Sequence, residues 1–350
     1  MHIVALVKSP DYVCCRYRLA AFQPHLQRRG HSLRLVSWPK AWYSKLWLHN
    51  LLGAADVLIL QRKIPPAWQL SLLRRVAPTL IYDIDDALFC RDSYDPQGVI
   101  CTAKEAQFRT FLQHMDYVVT GNAFLQEQTQ RWISADQTKV IPTCVDVNRY
   151  PLARHQSRNK LKLAWIGTWS TLQSLHRERS MWEDIGKRCP QLSLKIICDR
   201  FLQFDNLPVE ACRWSEQTET RELADTDVGI SWLPDDLWSQ GKCGLKVLQY
   251  MAAGLPVLAN PVGLHCRLIQ HGQNGFFVES QEDVVHALDM LRSDPDLRRQ
   301  MGLAGRQFVE DHFNTEHGAL AWASLLNQIA GTRTQSIVTK ANASPVLLAE

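Results

Sequence analysis

The stretch Gly241–Val278, GKCGLKVLQYMAAGLPVLANPVGLHCRLIQHGQNGFFV, decides how the chain must be read. Leu245, Leu248, Met251 and Ala252 recur at helical spacing until Gly254-Leu255-Pro256 stops the helix. A buried strand, a glycine turn at Gly263, a short helix and a further turn follow, which is the alternation of one half of an α/β domain. Gly241 and Gly244 bracket Lys242 and Cys243 just ahead of the helix. Unpaired backbone N–H groups, the positive end of the helix dipole and the Lys242 ammonium therefore converge, and all three favour an anion such as a diphosphate.

Working outward, strand-like runs at His2–Val7, Leu33–Val36, Val57–Leu60, Thr79–Asp83, Tyr117–Thr120 and Lys139–Ile141 alternate with helical patterns such as Leu19–Gln27 and Ala123–Trp132. The pattern lapses in the polar, proline-containing stretch from Asn148 to Lys160. It resumes at Leu161–Gly167, Leu194–Cys198, Val228–Trp232, Val257–Ala259 and Phe276–Val278. Two doubly wound α/β domains result, which suits a chain of 350 residues. An amphipathic helix at Thr315–Ile329 follows, carrying Leu320, Trp322, Ala323, Leu326 and Ile329 on its apolar face, and residues from Gly331 onward show no core period. No GxGxxG follows the first strand, which disfavours hydride transfer.

Three phrases carry a family resemblance. Ile166-Gly167-Thr168-Trp169-Ser170-Thr171 occupies the first strand-to-helix loop of the second domain, and Trp238 to Lys246 precedes the helix of the opening stretch. Ile141-Pro142-Thr143, followed by Asn148-Arg149-Tyr150, forms the domain junction. Together they resemble family 4 glycosyltransferases of the GT-B fold. The resemblance implies two Rossmann-like domains facing a cleft, with the last helix crossing back to the N-terminal domain. It assigns residues 1–150 to acceptor binding, 151–160 to a linker, 161–312 to nucleotide-sugar binding, 313–330 to the crossover helix and 331–350 to a disordered tail. It also implies donor binding by Gly167, Thr168, Ser170, Lys242, Cys243, Gly244, Lys246 and Gln249, and retaining transfer from a nucleoside diphosphate sugar to a hydroxyl.

The chain departs from the family at a pair of glutamates eight residues apart, which here read Gly241 and Gln249. A Gln249 carbonyl still accepts from a ribose hydroxyl, but without charge, and Gly241 replaces no side-chain contact. Three readings stand: an active subgroup in which lysines hold the phosphates, a catalytically weakened nucleotide-sugar-binding or scaffold protein, and a nucleotide-sugar epimerase. The first is preferred because Lys242, Gly244, Lys246 and Gly263 still suit a phosphate site.

In the N-terminal domain, Tyr82-Asp83-Ile84-Asp85-Asp86 places Asp85 and Asp86 at the carboxyl end of a strand, where such folds present ligands. A carboxylate there can orient a sugar hydroxyl or stabilise an oxocarbenium-like charge, so both are candidate catalytic residues. The competing reading makes either one a helix cap. Asp83-Ile84-Asp85 also satisfies the short DxD pattern of metal-dependent GT-A enzymes, yet two lysines and a helix dipole neutralise a leaving diphosphate without a metal, so neither cofactor nor metal is expected. Arg16 and Arg18, in the first strand-to-helix loop, are candidates for an anionic acceptor or the donor phosphates.

Residues 1–150 hold 18 Lys and Arg against 12 Asp and Glu. That excess and the aromatic patch Trp42, Trp47 and Leu48 beside Lys40 and Lys45 fit a lipid-linked or saccharide acceptor and contact with a membrane surface, rather than nucleic acid. No apolar run reaches the roughly 20 residues of a membrane span, and the chain enters a strand directly from Met1. A cytoplasmic enzyme, at most peripheral to the inner membrane face, is therefore expected. The ten cysteines form no CxxC pair and are expected to be reduced.

Overall fold

The computed structural model describes residues 1–39, 55–157 and 160–342. The first domain is built on β1 His2–Val7, β2 Ser32–Ser37, β3 Val57–Gln61, β4 Leu80–Ile84, β5 Tyr117–Thr120 and β6 Thr138–Val140. They pair in parallel in the order β2-β1-β3-β4-β5-β6. β3 and β4 are buried along their whole length. This is why they read as largely apolar runs, interrupted only by Gln61 and Asp83, since helices cover both faces of a parallel sheet. The second domain repeats the plan with β7 Leu161–Ile166, β8 Leu192–Cys198, β9 Val209–Arg213, β10 Val228–Ser231, β11 Val257–Ala259 and β12 Gly275–Phe277, ordered β12-β11-β10-β7-β8-β9.

In each sheet the winding direction reverses beside the first strand, between β1 and β3 and between β7 and β10. Such a reversal opens a crevice outside the carboxyl ends of the strands. Loops after β4 and β5 meet loops of the second domain across the cleft so formed, through side-chain bonds described below.

Most of the expected elements are present, and the differences have local causes. The edge strand β9, VEACR, was hidden by its charged residues, which are largely exposed. Glu210 on β9 and Glu222 pair with Lys195 of β8, whose aliphatic stem is buried in the sheet. The expected helix Leu19–Gln27 is a 3-10 turn, Ala20–Phe22, followed by a short helix, Gln23–Arg28, with Pro24 in its first turn. The last helix runs from Thr315 to Asn342, so residues 331–342 continue it rather than forming a separate tail. Its buried side chains Ala319, Trp322, Ala323, Leu326 and Ile329 pack with Ile3, Ala5, Phe22 and Leu26 of the first domain. Leu320, expected on that face, is exposed. The crossover is pinned at its start by Glu316, which pairs with His25 and Arg29. Among the described residues no helix is long and apolar enough to cross a membrane. The patch Trp42, Trp47 and Leu48 with Lys40 and Lys45 lies outside the described residues.

Candidate active site in the interdomain cleft

The segment after β10 is organised before it meets any ligand. Asp236 caps the one-turn helix Leu237–Gln240 by accepting from the Ser239 N–H at 2.9 Å, and it also accepts from Ser93 Oγ of the first domain at 3.1 Å. Asn122, itself the cap of helix Ala123–Gln130, donates through Nδ2 to the carbonyls of Gln240 at 3.2 Å and Lys242 at 3.0 Å. Gly241 packs so closely that a Cβ there would lie 2.8 Å from the Ala87 nitrogen and Cβ. Glycine is thus required by the approach of the loop after β4, and the missing glutamate has a steric cause. Gly244, at φ 67°, turns the chain into helix Leu245–Ala252, and a Cβ would strike Leu268 at 2.5 Å.

That helix starts one wall of a pocket of about 120 Å³ lined by residues of both domains. Lys242, Lys246 and Ser170 line it together with Ser231, Trp238 and, from the first domain, Tyr94. Gly167 is close behind, since a Cβ on it would sit 2.9 Å from Lys246 Cε. Thr168 caps helix Trp169–Arg177, and its hydroxyl is 2.9 Å from Ser170 Oγ. Two ammonium groups and a helix N-terminus therefore face one small volume edged with hydroxyls, an arrangement made for an anion.

The two lysines differ. Lys242 Nζ bonds Asp86 Oδ1 at 2.9 Å and lies 4.4 Å from the Trp238 ring centre. Burial alone would raise the Asp86 pKa, but Lys242 and Arg62, which bonds the other oxygen, hold it below the usual carboxylate value. Lys246 Nζ lies 4.8 Å from the Trp165 ring centre, which offsets part of its charge. Burial, helped by the like charge of Lys242, lowers its pKa to about 7. Behind the pocket, His265 is a neutral core residue, pushed down to about 4 by burial and bonded to Ser231 Oγ and the Asn260 carbonyl.

Several expected site residues have other partners. Arg18 is buried, donating to both oxygens of buried Asp83 and to the Ile141 carbonyl. Breaking such a pair costs about 3–5 kcal/mol, so Arg18 is structural and is removed from the acceptor or phosphate set. Arg16 reaches across the cleft to Glu219 at 2.9 Å and Glu216 at 3.0 Å, acids that already pair with its charge, which corrects its expected role in binding an anionic acceptor or phosphate. Gln249 donates to the Tyr17 and Tyr150 hydroxyls at 3.0 and 3.3 Å and does not line the pocket with the lysines. Cys243 points its thiol into the first domain's core and bonds the Asp85 carbonyl at 3.3 Å, so its side chain anchors the loop instead of facing a ligand. Asp83 and Asp85 do not converge on a cation: Asp83 is held by Arg18 and Gln61, while Asp85 faces Arg62 at 3.2 Å. Among the described residues no group of three or more His, Cys, Asp or Glu is placed to hold a metal ion. The cysteines among the described residues are free thiols.

The fold is shared with known proteins. Residues 177–324 match the family described as Glycosyl transferase-like. The folded chain superposes on the sucrose-phosphate synthase of Thermosynechococcus elongatus with a TM-score of 0.69, covering 95% of this chain and 99% of the other at 15% identity. The chain is a glycosyltransferase of the GT-B fold. In sequence it is 22% identical over 288 residues to spore coat protein SA of Bacillus subtilis, spanning 73% of this chain and 74% of the relative. The Anabaena protein HepE, solved in complex with UDP and glucose, superposes with a TM-score of 0.62 at 14% identity, covering 93% and 99% of the two chains. In this glycosyltransferase, Arg62, Asn122 and Tyr94 were not legible as site residues. Arg62 follows β3 in an ordinary polar run, Gln61-Arg62-Lys63, and only the fold brings it to Asp85 and Asp86.

Proposed function

We propose that this glycosyltransferase moves a sugar from a nucleoside diphosphate donor, held in the pocket of Lys242, Lys246 and Ser170, to a hydroxyl of a saccharide or lipid-linked acceptor in the first domain. The observation that carries the reading is the convergence of both lysines and the N-terminus of helix Trp169–Arg177 on one pocket. Those charges stabilise the diphosphate as it leaves, so no metal is needed. Transfer proceeds with retention, as the family 4 resemblance implies, and the departing diphosphate takes the acceptor proton, leaving no separate base to be found. Cleft closure excludes water and brings the two substrates together. That several relatives are bacterial and that the first domain is basic fits polysaccharide or glycolipid synthesis, beside a membrane, inside the cell.

The test is a thermal-shift and hydrolysis series with UDP-sugars and GDP-sugars, run with and without EDTA. A donor at about 100 times its dissociation constant stabilises by roughly 2.7 kcal/mol. The expected result is a shift, with slow release of free sugar, that EDTA leaves unchanged. Activity lost to EDTA and restored by Mn²⁺ or Mg²⁺ overturns the metal-free mechanism. Binding without hydrolysis or transfer marks a weakened binding protein, and a changed sugar still attached to nucleotide marks an epimerase.

Asp85 is the candidate that acts on the transferred sugar. It sits just past β4 with its side chain about nine-tenths buried and one oxygen 3.2 Å from Arg62. Asp85→Asn is expected to lower turnover by about tenfold or more while UDP affinity stays near the wild-type value, because the charge acts only as the transition state forms. No helix starts between the end of β4 and Thr102, so Asp85 is not the helix cap that the sequence allowed, and a wild-type rate in this variant removes it from the chemistry.

A further inference from the structure

Arg62 stands in a backbone conformation that arginine rarely takes, at φ 58°. A side chain in the left-handed region is strained and persists where its surroundings fix it from several sides. Here the Arg62 N–H donates to the Asp83 carbonyl at 3.0 Å, and its own carbonyl accepts from the buried Tyr82 hydroxyl at 2.9 Å. The guanidinium pairs with Asp85 and Asp86 and donates to Cys14 Sγ at 2.6 Å. The turn therefore aims one cation at both carboxylates after β4.

Asp86 is shared between the domains. One oxygen bonds Arg62 beside it and the other bonds Lys242 across the cleft. An incoming diphosphate would compete with Asp86 for Lys242. Were Lys242 its sole partner, the exchange would strand a buried carboxylate, which is the expensive way to break an ion pair. We propose that Arg62 is a positioning residue of the donor site, holding Asp86 so that Lys242 can pass from it to the diphosphate. This rests on the reading of the pocket as a nucleoside diphosphate site. On this basis Asp86 is the anion that holds Lys242 at the edge of the pocket, and Arg62 decides how easily it yields.

Calorimetric titration of UDP into the full chain tests the proposal with five proteins: wild type, Lys242→Ala, Arg62→Gly, Asp86→Asn and the Arg62→Gly/Asp86→Asn double variant. Glycine accepts the left-handed turn, so Arg62→Gly removes the guanidinium without imposing strain. Arg62→Gly is expected to weaken UDP by about tenfold, since Asp86 then clings to Lys242 and its charge faces the phosphates. Asp86→Asn removes the competitor and tightens UDP by about fivefold, and the double variant returns to the Asp86→Asn affinity. Arg62→Lys, which keeps the charge but not the fork, falls between wild type and Arg62→Gly and carries the test if the glycine variant does not fold. Wild-type UDP affinity in Arg62→Gly, or a loss that Asp86→Asn does not restore, overturns the role of Arg62 while leaving the pocket assignment intact if Lys242→Ala still weakens binding. Failure of Lys242→Ala to weaken UDP sinks the pocket assignment and this proposal together.

Discussion

Lys242→Ala is expected to weaken UDP binding by about 1.5–3 kcal/mol, the range of a hydrogen bond to a charged group, or roughly 10- to 150-fold in dissociation constant. Three features make this the largest single effect in the site. The ammonium lines the pocket, its backbone carbonyl is fixed by Asn122, and its flanking residue Gly241 is wedged against Ala87. The loop cannot readily swing another cation into its place. Stability should change little, because the Lys242 side chain is partly exposed and Asp86 keeps Arg62. Unchanged affinities for both UDP and GDP, read by calorimetry with the melting temperature preserved, would count against the phosphate assignment.

Lys246→Met is expected to separate stability from function. In the unfolded chain this lysine keeps its proton up to its ordinary pKa of 10.5, whereas in the fold it loses it near 7. Between those values the unfolded state binds more protons, so this group makes stability rise with pH, and below about 7 the fold carries a charged lysine it would rather not hold. Methionine fills the same space beside Trp165 without that charge. The variant should gain about 1–2 kcal/mol at pH 6, with a smaller gain at pH 9, and lose UDP affinity by about tenfold at pH 6. In the wild type, a bound diphosphate raises the Lys246 pKa, so UDP binding takes up protons and weakens as pH climbs from 6 to 8.5. Thermal melts and titrations in buffers of different ionisation enthalpy read both effects. A variant that is less stable at pH 6, or a wild-type affinity flat across that range, removes Lys246 from the phosphate site.

The cationic loop of the proposed donor pocket could be read from sequence because its features are local. The phrase Gly241 to Lys246 states its own turn, its helix start and its cations within six residues, and Gly167 to Ser170 does the same after β7. The sheets were legible for a similar reason, as buried parallel strands are largely apolar runs. What stayed hidden depends on pairs far apart in the chain. Arg18 reads like any loop arginine until Asp83, 65 residues on, is found buried against it. Arg16 looks available until the second domain supplies Glu219, and Gln249 looks like a ribose ligand until Tyr17 and Tyr150 close on its amide. Arg62 gave no signal at all, because its left-handed turn and its carboxylate partners exist only once β3 and β4 lie side by side. The substitution of glycine for the usual glutamate at 241, a puzzle in sequence, is explained by the Ala87 contact, which needs both domains.

On the function proposed above, the pocket between the domains holds the diphosphate of the donor. A crystal structure of the chain with UDP bound tests it most directly. Phosphate oxygens are expected within hydrogen-bonding distance of Lys242 Nζ, Lys246 Nζ and the start of helix Trp169–Arg177, with Asp86 released from Lys242 and still paired to Arg62. UDP lying elsewhere, with the Lys242–Asp86 bond intact and the pocket filled by water, would contradict it.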